Sequence, residues 1–128
     1  MNLGSLFSIA IGASLGAWLR YGFGLMLNPI FPTLPLGTLF ANLCGGLLMG
    51  LVIGGFPSYS ALTPELRLAF GTGFLGALTT FSTFSAEAVT LLLRQQYGWA
   101  AAHIGSHLLG SLLMTLIGIG IVRSVVRS

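Results

Sequence analysis

Lysine and aspartate are absent from this chain, and its formal charge rests on five arginines and two glutamates among 128 residues. Only 5% of the residues are charged, where a soluble domain carries about 25%, so a water-facing surface cannot be built from this composition. Without aspartate there is no Ser-His-Asp set. No pair of carboxylates suits acid–base chemistry, and no phosphate loop is present, so an enzyme finds little support. The single cysteine, Cys44, lies in an apolar run, which excludes an intrachain disulfide and any cysteine-based zinc site. The net charge of +3 is too sparse for a nucleic-acid patch, and no basic cluster exists outside the Arg123 to Arg127 tail. The first apolar stretch follows no basic segment and no cleavage motif, and it reads as a retained helix rather than a signal peptide.

What the chain has instead is apolar length. Hydrophobic residues make up 55% of it, and four segments reach the roughly 20 residues that a spanning helix needs. They lie at about 4–27, 37–56, 64–94 and 99–122, in one domain over 1–128. The connection between the first two is the proline-rich stretch 29–35, because proline and the residue before it disfavour helix. Thr63, Pro64 and Glu65 read as a cap, a first-turn proline and an acid at the positive end of the helix dipole. Gly12 and Gly16, and Gly46, Gly50 and Gly54, recur at every fourth position, a spacing that lets backbones approach closely. With four spans the termini share one side with Arg67, against Arg94 on the other. So small a bias favours cytoplasmic termini weakly and permits insertion in both orientations.

The third segment is the exception to this apolar pattern. Residues 76–85 read GALTTFSTFS, with hydroxyls at Thr79, Thr80, Ser82, Thr83 and Ser85 and with Gly71, Gly73 and Gly76 around its start. In hydrocarbon, polar groups and irregular backbone persist only inside protein or along a wet cavity. A break in the helix is expected here, exposing carbonyls and amides. The alternative is a continuous helix whose hydroxyls bond back to their own carbonyls. Phe81 and Phe84, three residues apart, share a helical face. Spacing alone favours rings that fill the core, while the surrounding hydroxyl donors favour ring edges turned to a small anion. Asn42, in the middle of the second span, either donates its amide to an anion or fixes helix packing.

Ser111 and Thr115 continue a stripe from His107 on the fourth span. His103 and His107 have a spacing that can bind a metal, but no acid or cysteine lies nearby in sequence to complete a site, so pathway or packing roles are favoured. Arg20 is either a snorkelling interfacial cation beside Trp18 and Tyr21 or a vestibule charge that concentrates anions. Glu87 either pairs with an arginine or sits at the membrane boundary, and it is placed outside any anion constriction.

Gly12, the run from Gly16 to Arg20, the group Gly37, Thr38, Leu39 and Asn42, and the run TGFLGALTTFSTFS over 72–85 together resemble the Fluc (CrcB) family of fluoride channels. The similarity covers essentially the whole chain. It implies an all-α membrane protein whose third helix is broken at its centre, forming an antiparallel, dual-topology homodimer with two fluoride pores. It implies a structural sodium ion at the dimer axis, held by backbone carbonyls matching Gly76 and Thr79. Phe81 and Phe84 match the phenylalanines whose ring edges face fluoride, and Asn42 matches the pore asparagine. Ser82 and Thr83 match the polar track, to which Ser85 is adjacent; Ser111 and Thr115 fall on the pore-facing stripe, and Arg20 matches the arginine of the first helix. His103 stands where some relatives carry tyrosine. The implied function is passive export of cytoplasmic fluoride across the inner (plasma) membrane. The rivals are a proton-coupled small multidrug transporter, which needs a membrane-embedded carboxylate that only Glu87 can supply, and a noncatalytic assembly subunit.

Overall fold

The computed structural model describes residues 1–127, all in helices and short connections; Ser128 lies outside the described residues. Four helices are long and apolar enough to cross a membrane, over Leu3–Ile30, Leu36–Ile53, Pro64–Leu93 and Tyr97–Val126. The chain is therefore a multi-pass membrane protein. α1 spans Leu3–Leu27 and is capped by Asn2, whose side chain accepts from the Ser5 N–H at 2.8 Å. After a short turn at Asn28–Ile30, α2 runs over Leu36–Ile53. It has no side-chain cap of its own, and the Asn28 Oδ1 accepts from the Gly37 N–H at 2.8 Å instead.

α2 stops short of the expected Phe56 because Gly55 turns to φ 92°. The Phe56 N–H then reaches the Leu51 carbonyl at 3.2 Å and the Gly55 N–H reaches that of Val52 at 3.1 Å, the two bonds of a Schellman stop. A one-turn helix, α3 (Pro57–Ser60), leads to α4 (Pro64–Leu68), where the Thr63 hydroxyl accepts from the Leu66 N–H at 3.3 Å. The chain continues as a wide π-helical stretch over Ala69–Leu75 and a last turn, α5 (Gly76–Leu78). α6 (Phe81–Leu93) follows, then α7 (Tyr97–Arg127), longer at both ends than the sequence pattern suggested. The α6–α7 hairpin closes on a second Schellman stop with Gln95 at φ 60°, a conformation a non-glycine residue adopts at a small cost.

Two seams hold the bundle, and both depend on missing side chains. α1 packs along the π-helical stretch and α5, and a Cβ on Gly12 or Gly16 would collide with the carbonyl oxygens of Ala69 or Phe74. α2 packs along α7, where Gly50 meets the Thr115 carbonyl and Gly118 meets that of Leu47. In lipid, close packing rather than expulsion of water drives helix association, so these backbone approaches are the main cohesive device. The buried centre is small: Ala41, Leu75 and Leu78, with Phe23, Leu48, Phe70 and Phe74 around them. Most large apolar side chains face outward, as the surrounding hydrocarbon requires.

Candidate functional site: an interrupted helix facing an open groove

The third span is interrupted at two residues. Thr79 (φ −87°, ψ 153°) and Thr80 (φ −150°, ψ 116°) are extended between α5 and α6. Extended residues forfeit the helical ladder, and buried backbone polar groups then need other partners. Asn42 supplies two of them. Its Oδ1 accepts from the Thr80 N–H at 2.8 Å, and its Nδ2 donates to the Thr80 carbonyl at 3.2 Å. One side-chain amide thus grips one peptide unit from both sides.

Arg20 supplies a third partner, its Nε donating to the Ala77 carbonyl at 3.0 Å. The arginine therefore ties α1 to the last turn before the break. The hydroxyls serve the break as well. Thr79 Oγ1 donates to the Leu75 carbonyl at 2.9 Å, and Thr80 Oγ1 caps α6 by accepting from the Thr83 N–H at 3.1 Å. The carbonyls of Gly76 and Thr79 receive no such donor among the described residues, because the N–H groups that would reach them in a continuous helix are bound to Asn42 and to the Thr80 hydroxyl.

Beside the break lies an open groove of about 440 Å³, lined in part by Asn42, Gly76, Thr79, Thr80, Phe81 and Phe84 and by the Ser111 and Thr115 stripe of α7. Phe81 and Phe84 meet edge to face, ring centres 5.5 Å apart. Phe81 is 80% exposed at the rim of this single chain, while Phe84 turns inward against His107 and His103, at 4.7 and 5.4 Å between ring centres. The Thr115 hydroxyl is within 3.0 Å of the Gly46 and Ser111 carbonyls, so its proton is committed to backbone. The Ser111 hydroxyl has no such partner among the described residues and can donate into the groove. Ser82, Thr83, Ser85 and Arg20 do not line it.

Sequence reasoning left a neighbouring group of side chains unresolved. Glu87 lies inside the bundle: Thr38 Oγ1 donates to its Oε2 at 2.7 Å, and its Oε1 lies 3.3 Å from His103 Nε2. His107 Nδ1 lies 3.0 Å from Asn42 Nδ2. The Thr80 N–H fixes which end of the Asn42 amide is oxygen, so Nδ2 is the donor and His107 Nδ1 the acceptor. A neutral His107 consequently carries its proton on Nε2. One available signal was that Glu87 is three residues after Phe84 on the face that a short hairpin turns toward α7.

Most of the chain is similar to known sequences. A family model described as CrcB-like protein, Camphor Resistance (CrcB), matches residues 7–119. The chain belongs to the CrcB family. Among its relatives, a protein of Nitrosospira multiformis called fluoride-specific ion channel FluC is 63% identical over 123 residues, 96% of each chain. Proteins of the same name from Aromatoleum aromaticum (55% over 117 residues, 91% of this chain and 89% of that one) and Cupriavidus taiwanensis (54% over 112 residues, 88% and 89%) are similar along nearly the same length. The match contains both halves of the interrupted helix, the asparagine that clamps it and the α7 stripe.

Proposed function

We propose that this CrcB-family chain is a fluoride-selective channel that passively exports cytoplasmic fluoride across the inner membrane and so relieves its toxicity. The relatives' name supplies the ion, and one structural observation carries the reading for this chain. The break in the third span, gripped by Asn42, faces a groove that offers the Ser111 hydroxyl and aromatic edges but no arginine or glutamate side chain. Fluoride is small and binds its water tightly, so a path must replace that water with dense, short-range donors while releasing the ion again. Ser111 and the positive edges of Phe81 and Phe84 are donors of that kind, Asn42 shapes the path by holding the break, and Ser82, Thr83 and Ser85 of the third span are the next candidates along the track. Chloride is larger and gains less from close donors.

The working unit is an antiparallel homodimer with two fluoride pathways. A single chain leaves the groove open and Phe81 80% exposed on its rim, and a second copy inserted in the opposite sense would close it. The Gly76 and Thr79 carbonyls, deprived of their helical donors, suit a hard cation such as sodium. Doubled by a two-fold axis, they would hold it between the breaks of the two chains, where its charge would favour anions in both pathways.

Reconstituted liposomes loaded with fluoride or chloride and followed with ion-selective electrodes test the proposal. Fluoride efflux without matching chloride efflux supports it. Equal rates overturn the selectivity, and no flux of either ion favours an assembly subunit.

A further inference from the structure

We propose that Glu87, His103 and His107 form a binding site for a divalent transition cation of the zinc or cobalt(II) class, and that occupancy closes the anion path. The site is assembled from two elements. His103 and His107 stand one turn apart on α7, and Glu87 faces them from α6. One ligand atom of each lies within 4.8 Å of the others. Metal–ligand bonds of about 2.0–2.2 Å in tetrahedral geometry place ligand atoms roughly 3.4 Å apart. The Glu87–His103 pair, at 3.3 Å, already has that spacing, and a ligand atom of His107 lies within 4.8 Å of the other two residues' ligand atoms.

A second observation points to a ligand. Both histidines are almost wholly buried, at 2% and 4% exposure. Yet Glu87 Oε1, His103 Nε2 and His107 Nε2 make no hydrogen bond of acceptable geometry among the described residues, because the 3.3 Å pair is misaligned. Buried polar atoms are rarely left in this state. Two imidazoles and one carboxylate select zinc, cobalt or nickel over magnesium or calcium, whose preferred ligands are oxygen.

Binding has a defined consequence for the groove. Coordination through His107 Nε2 moves that ring's proton to Nδ1, where it meets the Asn42 Nδ2 donor. The Asn42 amide must then turn over so that its oxygen accepts from Nδ1–H, the usual outer partner of a metal-bound histidine. Turned over, it no longer accepts from the Thr80 N–H, and the grip on the break is lost. The binding claim stands on the side-chain cluster alone, while closure rests on the fluoride-channel reading.

Cobalt(II) titration of the purified full chain separates the two claims. The expected result is an intense visible d–d band characteristic of four-coordinate cobalt, saturating at one ion per chain and erased by equimolar zinc but not by excess magnesium. His103→Gln, His107→Gln and Glu87→Gln should each weaken binding at least tenfold while eluting like the parent on size exclusion. In liposomes, zinc should slow fluoride efflux at least tenfold, and a chelator should restore it. A cobalt spectrum like that of the hydrated ion, or one unchanged in the double histidine variant, overturns the site. Zinc binding with undiminished efflux overturns closure alone. Absence of fluoride flux before any metal is added overturns the channel reading and leaves the cobalt result to decide the site.

Discussion

Asn42→Ala is the most direct perturbation of the interrupted helix. The substitution removes three contacts at once: the bond from the Thr80 N–H at 2.8 Å, the bond to the Thr80 carbonyl at 3.2 Å, and the contact with His107 Nδ1 at 3.0 Å. Hydrogen bonds between membrane helices average about 0.6 kcal/mol, below the value of about 1 kcal/mol typical in water, because the alternative states also find partners. Three of them come to roughly 2 kcal/mol, a factor of about 30 in the population of the intact break at about 1.4 kcal/mol per decade. The backbone seams α1–α5 and α2–α7 do not involve Asn42, so the fold should survive. Fluoride efflux from liposomes should therefore fall between tenfold and a hundredfold while the protein still folds and elutes like the parent. Efflux within twofold of the parent would show that the amide is packing material and that the break keeps its shape without it.

Phe81→Ile and Phe84→Ile replace a polarised ring edge by an aliphatic surface of similar bulk; each should slow fluoride efflux at least tenfold with the oligomer intact, and parental rates in both would remove the ring-edge argument. Gly50→Ala drives a methyl group into the Thr115 carbonyl, and backbone cannot swing aside, so destabilisation should reach about 2–3 kcal/mol in detergent unfolding. Gly120→Ala, which meets no atom within 4 Å, is the control and should not destabilise. Replacing sodium by a bulky organic cation during purification should weaken the dimer or reduce flux, and unchanged behaviour after prolonged exchange would count against the axial ion.

The features legible in the sequence are those with a local cause. Four apolar stretches of spanning length follow from composition, and the interruption follows from five hydroxyls placed behind three glycines. Its location at Thr79–Thr80, rather than elsewhere in that run, is set by Asn42, 38 residues away. The small-residue spacings marked close helix approach, but only the packed bundle shows that Gly12 and Gly16 face the π-helical stretch while Gly50 faces α7. Arg20 had two readings, and neither named the distant acceptor it binds: the Ala77 carbonyl exists as an acceptor only because the helix breaks after it. The Glu87 cluster was hidden for the same reason, since its members come from different helices and no local pattern joins them.

The break also explains why so few charges suffice in this bundle. Unwinding the chain at Thr79 and Thr80 releases carbonyls that hydrocarbon would penalise by several kcal/mol each. The carbonyls of Gly76, Ala77, Leu78 and Thr79 lose the donors of a continuous helix, and one cation, Arg20, pairs that of Ala77. Of the other three, those of Gly76 and Thr79 belong to groove-lining residues. A chain that satisfied all four would be a sealed structural bundle. Carbonyls left open at the groove suit completion from outside the chain, so the proposed central cation and the proposed second copy stand or fall together. Arg20→Leu tests the bookkeeping. It should expose the Ala77 carbonyl as well and disturb the break as Asn42→Ala does, whereas parental flux in that variant would mean that carbonyl pairing does not govern the path.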